Sequence, residues 1–123
     1  MIEEERQVHP QALPNYEHAV ILRSKLEGYV LNPDHDPGKH KARVFKSALG
    51  FDQSNWDILQ QRILDELPFH IAELKAEGLF GKQYDVVLPI KGPNQQIVDV
   101  ITGWIIRPET DFPSLVTALV AKK

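Results

Sequence analysis

The densest concentration of chemically active side chains lies in one short run, LNPDHDPGKHKARVF, residues 31–45. Pro33, Pro37 and Gly38 turn the chain sharply there, and Asp34, His35 and Asp36 ride on the bend. An imidazole with an unperturbed pKa of about 6.5 exchanges protons near neutral pH, so His35 is suited to general acid or base work. Lys39, Lys41, Arg43 and Lys46 follow with no acid between 39 and 46. Cations in the first turn of a helix oppose its dipole, whereas the free backbone N–H groups there favour phosphate. Lys39 and Lys41 therefore call for an anionic partner, either Asp34 and Asp36 or a ligand. The chemistry of such a set is proton transfer beside a bound anion. The plainer reading has His35 capping its turn and most of the basic residues on a solvated face, since only positions three or four apart are helical neighbours. Asp34, His35, Asp36 and His40 also have the donor types for a divalent metal. Their spacing matches no standard site, Asp36-Pro37 reads as the start of a turn, and no metal or cofactor is expected.

Several elements must hold that run in place. Ala19-Val20-Ile21-Leu22 is a short apolar stretch suited to a buried strand, and Leu22, Leu26, Tyr29 and Val30 fall at helical spacing, predicting a short helix over 23–30. Asn32-Pro33 ends it, because the residue before proline is pushed away from α geometry. Ala42, Phe45, Ala48 and Leu49 mark the apolar stripe of a helix over 39–49, with Gly50 as its C-cap and Phe51 packing back. Ser54, with Asp57 three residues on, predicts the entry of a helix over 55–67, which Pro68 stops. The segment 69–77, FHIAELKAE, fits a helical piece or an irregular strand equally well.

After Gly78 the period changes. Residues 82–90, 96–108 and 114–121 are rich in Val, Ile, Tyr, Thr and Trp, with turn chemistry at 91–94 and 109–113. Gly103 inside the second of these strands predicts a bulge or a close backbone approach. Trp104 reads as core, and Asn94 as a turn residue tolerant of left-handed geometry. Alternation leaves Thr117 facing either solvent or a cleft. The expected fold is α+β: N-terminal helices packed on one face of an antiparallel β-meander of three to four strands.

Composition bounds the function. A length of 123 residues predicts one domain, here 16–123, after a flexible acidic tail over 1–15. The absence of cysteine excludes disulfides, thiolate-held zinc and a Cys nucleophile, and fits a cytoplasmic setting. No signal-like apolar stretch opens the sequence and no apolar run approaches the roughly 20 residues of a membrane span. A net charge of −3 argues against sequence-independent clinging to nucleic acid, but the local basic cluster leaves room for a phosphate site. P-loop, nucleophile-elbow, zincin and paired-CxxC motifs are all missing.

One ordered set of residues carries a resemblance. Leu31, Asn32, Pro33, His35, Gly38, Lys41 and Ala42 fill L-N-P-x-H-x-x-G-x-x-K-A. Leu49-Gly50-Phe51 with Asn55, Gly81 with Tyr84, Lys91-Gly92-Pro93-Asn94, Trp104-Ile105 and Leu115-Val116-Thr117-Ala118 follow in order. The set, spanning roughly 19–118, resembles a family of small bacterial domains that occur alone and at the C-termini of polymorphic and contact-dependent growth-inhibition toxins. Related toxin domains belong to the barnase, EndoU, colicin and RelE superfamily, whose members cleave RNA, often tRNA, without metal. The resemblance implies RNA as substrate and an antitoxin or immunity protein as partner. It puts forward His35, Lys41 and Thr117 as the catalytic set, with His40, Arg43 and Lys82 as secondary candidates. Where the relatives read Thr-Lys between the glycine and tyrosine, this chain has Lys82-Gln83. That displaces the basic group by one residue, to the other face of a strand.

Metal-independent RNA cleavage needs a base near the ribose 2′-OH, an acid near the leaving 5′-oxygen, and Lys, Arg or hydroxyl donors for the phosphorane. His35 fits the first role or the second, Lys41 the stabiliser and Thr117 a phosphate donor. The alternative expectation is a non-catalytic interaction module of the same fold, an adaptor or decayed toxin, favoured by the acidic tail and the Lys82-Gln83 departure. A metal hydrolase on Asp34, His35 and His40 is the third.

Overall fold

The computed structural model describes residues 6–35 and 39–121. Among the described residues three α-helical segments precede a four-stranded antiparallel sheet of order β1-β2-β3-β4, the α+β meander that the change of period predicts. The first helix, α1, is a single turn at Arg23–Lys25 that widens into a π-turn over Leu26–Val30. Helix α2 is Lys39–Leu49 and α3 is Trp56–Glu66. The strands are β1 (Ala72–Gly78), β2 (Gly81–Lys91), β3 (Ile97–Ile106) and β4 (Ser114–Val120).

Alternation explains the core. Val86, Leu88 and Ile90 of β2 are fully buried while Val87 between them is exposed. Their β3 partners Thr102, Val100 and Val98 lie on the same face, with Trp104 opposite Tyr84. Phe45 and Leu49 of α2, Leu59 and Ile63 of α3, and Leu26 and Val30 of the π-turn pack onto that face, each completely buried. The one polar residue fully buried among the described residues, Thr102, is satisfied on both sides. Its hydroxyl donates to the Val86 carbonyl at 2.8 Å and accepts from Trp104 Nε1 at 2.8 Å.

Helix α2 ends as its sequence predicts. Gly50 takes φ +84 and donates to the Phe45 and Lys46 carbonyls, and Phe51 folds back, fully buried. The β2–β3 turn then closes over this end. Asn94 donates its backbone N–H to the Leu49 carbonyl at 3.3 Å and its side-chain amide to the Ala48 carbonyl at 3.1 Å. A Cβ on Gly92 would overlap the Leu49 carbonyl, so only glycine lets the turn approach so closely. The left-handed residue of the turn is Gln95 at φ 72, not Asn94, whose side chain is engaged instead by the helix end and by the Gln96 N–H.

Other local expectations change where tertiary contacts decide. The predicted strand at 19–22 shrinks to one parallel bridge, Val20 with Ser114. The entry to α3 begins earlier than Ser54. The Asp52 carboxylate accepts from the Ser54 N–H at 2.9 Å and Asn55 Oδ1 accepts from the Asp52 N–H at 2.8 Å, a capping box that starts a 3-10 turn before the helix. The undecided segment 69–77 becomes β1, because β2 offers it an antiparallel partner from Ala72 opposite Val86 to Gly78 opposite Gly81. Packing also starts sooner than an independent tail to residue 15 allows. Leu13 is 1% exposed, the Gln11 carbonyl accepts from Ala72, and the Arg6 guanidinium makes two bonds to Glu66 at 2.8 and 2.9 Å. Residues 1–5, and Asp36, Pro37 and Gly38 of the predicted bend, lie outside the described residues. Among the described residues no helix is long and apolar enough to cross a membrane.

Candidate functional site

Beside β4, the last strand of the sheet, the chain forms an open cleft of about 550 Å³, lined by Ser24, Lys25, Gly28, Tyr29, His35, Lys41, Val116 and Thr117. Four separate elements supply these residues. α1 and its π-turn bring Ser24 to Tyr29, and the turn that follows brings His35. The first turn of α2 brings Lys41, and β4 brings Val116 and Thr117.

The π-turn is closed by the Leu31 N–H bonding to the Leu26 carbonyl, five residues back, at 2.8 Å. Single π-turns insert one extra residue and recur at functional sites. Here the turn keeps Leu26 and Val30 buried while leaving Tyr29 at the cleft. Asn32 fixes the next bend. Its amide donates to the Gly28 carbonyl at 3.2 Å, and its oxygen accepts from the Asp34 N–H at 2.9 Å. The His35 N–H closes the turn on the Asn32 carbonyl at 3.3 Å. The imidazole stands edge-on to Tyr29, with ring centroids 4.9 Å apart and planes at 79°. Its Nδ1 is buried and has no hydrogen-bond partner among the described residues.

Lys41 joins the π-turn to the last strand. Its Nζ donates to Tyr29 Oη at 2.9 Å and to Thr117 Oγ1 at 3.0 Å. An ammonium has three N–H donors, so two are engaged by neutral hydroxyls. The ammonium holds the Tyr29 phenol below the ordinary tyrosine value. That hydrogen bond is the main cause; burial opposes it, and Thr117 and the charges of Lys41 and Lys25 reinforce it.

A bulge in β4 places Thr117. Gly103 pairs with Thr117 and Trp104 with Leu115, which leaves Val116 as an extra residue. Leu115 and Ala118 are both buried, three apart instead of two, and Val116 and Thr117 between them both reach the cleft. The Thr117 methyl lies over Gly103, where a Cβ would come within 3.3 Å of Cγ2, and the hydroxyl is left for Lys41. The irregularity expected at Gly103 thus occurs as a bulge in the partner strand β4, and the close approach there is made by the Thr117 side chain instead of by backbone; together they orient Thr117.

His35, Lys41 and Thr117, separated in sequence, thus share one cleft. The secondary candidates do not. His40 and Arg43 sit on exposed flanks of α2, and Arg43 borders a different groove with Leu31, Lys46 and Asp52. Lys82 lies at the start of β2, 3.6 Å from Glu77, lining a separate depression with Tyr84 and Arg107. Tyr29 is the member sequence reasoning missed. Its helical spacing grouped it with Leu22, Leu26 and Val30, and nothing in the sequence set it apart from them. Among the described residues no three His, Cys, Asp or Glu side chains gather as a metal site, and no carboxylate lines this cleft. The arrangement can bind an oxyanion on Lys41 and Thr117 and exchange protons through His35 or Tyr29.

Comparison with known proteins adds the family. The chain matches no curated protein and no solved structure. Residues 12–122, nearly all of the fold just described and every side chain of the cleft, match the family model described as Domain of unknown function (DUF6883), and the chain belongs to that family.

Proposed function

We propose that this domain is a metal-independent, endoribonuclease-like toxin domain that cleaves an RNA phosphodiester by attack of the ribose 2′-OH. The observation that carries the reading is the bond from Lys41 Nζ to Thr117 Oγ1, 3.0 Å long across 76 residues of sequence, in the cleft that also holds His35. Such a cleft suits a monoanionic phosphodiester, because its lining has cations and hydroxyls and, among the described residues, no competing carboxylate. In this reading His35 accepts the 2′-OH proton as the oxygen bonds to phosphorus. Lys41, steadied by Thr117, meets the charge that builds on the non-bridging oxygens, and Thr117 adds a hydroxyl donor. The P–O5′ bond then breaks, and the departing oxygen takes a proton from Tyr29 or from protonated His35. The products are a 2′,3′-cyclic phosphate and a 5′-hydroxyl. A cytoplasmic site of action and neutralisation by an antitoxin or immunity protein go with this proposal.

A second reading, a protein-interaction module of the same fold, draws on other residues. Leu79 and Phe80 at the tip of the β1–β2 hairpin are 93% and 80% exposed, the composition of a contact surface. Induced expression of the wild type and His35→Ala in bacteria, with total RNA resolved on a gel, decides between them. Growth arrest with discrete fragments ending in 2′,3′-cyclic phosphate, lost in the variant, is the expected result. Intact RNA and normal growth for both would remove the catalytic roles and leave the interaction reading.

A further inference from the structure

The Ser24–Gly28 side of the cleft has features that a single bound phosphate does not use. Lys25 lines the cleft together with Lys41, and neither joins an ion pair among the described residues. Lys41 already has two partners within the protein. Lys25 has none for its side chain among the described residues, although the whole chain carries a net charge of −3 and acids are plentiful elsewhere. Two ammonium groups held in one groove, with no counter-charge on it among the described residues, repel each other, and an anionic ligand relieves that repulsion.

Gly28 is the second, independent sign. It sits inside the π-turn, where a glycine is weaker than an alanine. No described residue demands it. Gly28 is not among the residues with positive φ, and a Cβ there would meet only Ser24 Cβ, at 4.0 Å. A glycine that the fold does not require, on the wall of a groove, leaves space for something that is not the protein. Ser24 and Gly28, like Lys25 and Tyr29, are four residues apart and follow one edge of the turn, so the space and the cation belong to the same strip of surface.

We propose that Ser24, Lys25 and Gly28 form a second subsite that holds the phosphate and sugar of the nucleotide next to the scissile bond. The ligand of the cleft is then a single nucleic-acid strand with at least two consecutive phosphodiesters, not a mononucleotide or a lone phosphate. This rests on the reading of the cleft as an RNA site. Lys25 neutralises the adjacent phosphate, the Ser24 hydroxyl donates to it, and the sugar passes against Gly28, where a methyl group would block it.

The test separates this subsite from catalysis by using strands that cannot be cleaved. Fluorescently labelled eight-nucleotide single strands with 2′-O-methyl sugars are titrated with the full chain at several salt concentrations, for the wild type, Lys25→Gln and Gly28→Ala. Each phosphate contact on a single strand contributes about 0.7 to the slope of log affinity against log salt. Lys25→Gln is expected to weaken binding and flatten the slope by about 0.7. Gly28→Ala is expected to weaken binding with the slope unchanged and its melting temperature equal to or above the wild type's. An unaltered slope in Lys25→Gln, wild-type affinity in Gly28→Ala, or no binding by the wild type overturns the proposal. If the strands bind as expected but His35→Ala cleaves RNA as fast as the wild type, the catalytic assignment fails and the subsite stands.

Discussion

Replacing Lys41 with methionine tests the centre of the cleft most directly. Methionine keeps an unbranched stem of similar length and removes only the ammonium. Two of the three N–H groups are bonded to Tyr29 and Thr117, which leaves one for a ligand oxygen. Loss of one preorganised donor to a developing oxyanion costs about 10²–10³ in rate, or about 2.7–4 kcal/mol. The donor matters most when charge accumulates, so the loss should fall on kcat with KM little changed. The fold should barely notice, because both abandoned hydroxyls border an open cleft and can turn to water; a cost below about 1 kcal/mol is expected. Single-turnover cleavage of a defined oligoribonucleotide gives the rate, and thermal melting gives the stability. A second readout needs no substrate. Lys41 is the main cause of the lowered Tyr29 titration, so in Lys41→Met the phenol should ionise at higher pH, followed by tyrosinate absorbance with Tyr29→Phe to identify its signal. A kcat reduced by less than about fivefold, under about 1 kcal/mol, in a folded variant would refute the role of Lys41. An unmoved Tyr29 titration would refute the network itself.

Three further perturbations follow from the same structure. Thr102→Val leaves the buried Trp104 N–H and Val86 carbonyl without their partner; it should cost about 1–3 kcal/mol and lower Tm by about 3–10 °C, and an unchanged Tm would mean that another acceptor serves the indole. Gly103→Ala brings a methyl within 3.3 Å of Thr117 Cγ2, so Thr117 should shift away from Lys41 while stability stays within about 1 kcal/mol; Tyr29 should then ionise at higher pH, and a wild-type titration would show that Thr117 had not moved. The Arg6 hydrogen bond, helped by His70 and opposed by burial, holds the Glu66 carboxyl below the usual carboxylate range. Its folded pKa is depressed, so the stabilisation is complete above the unfolded value of about 4.3 and disappears as pH falls through the folded one. With Arg6 half exposed, Arg6→Ala should cost about 0.2–1 kcal/mol at neutral pH and less in strong acid, where only its contact over the Phe69 ring remains; denaturation midpoints for both proteins at pH 7 and pH 3 check this, and a gap that does not narrow in acid would contradict it.

What the sequence disclosed follows a physical divide. Helix α2 was legible because its apolar stripe, its glycine stop and its length are local properties, and β2 to β4 were legible from alternation. β1 was not, since AELKAEG has no strand signal until β2 pairs with it. His35 and Lys41 could be singled out from a bend and an unfavourable first turn, but what joins Lys41 to Thr117 is a contact over 76 residues that no local pattern encodes. Period alone could not orient Thr117, because the extra residue at Val116 breaks the period there. His40 and Arg43 drop out for a simple reason. Successive helical residues are about 100° apart, so when Lys41 faces the cleft its neighbours at 40 and 43 face elsewhere. Tyr29 stayed hidden because an α-helical reading of 23–30 has no place for a π-turn.

The docking of the β2–β3 turn on the far end of α2 makes that helix a lever with its pivot at Leu49. From Leu49 to Lys41 is eight residues, about 12 Å at 1.5 Å per residue. A tilt of only about 5° around the pivot would carry Lys41 about 1 Å sideways, enough to break the 2.9 and 3.0 Å bonds to Tyr29 and Thr117. Angular error at Asn94 and Gly92 is therefore magnified at the opposite end of the helix. Substitutions in the KGPN turn, remote from the cleft, should rank among the most damaging to whatever the cleft does.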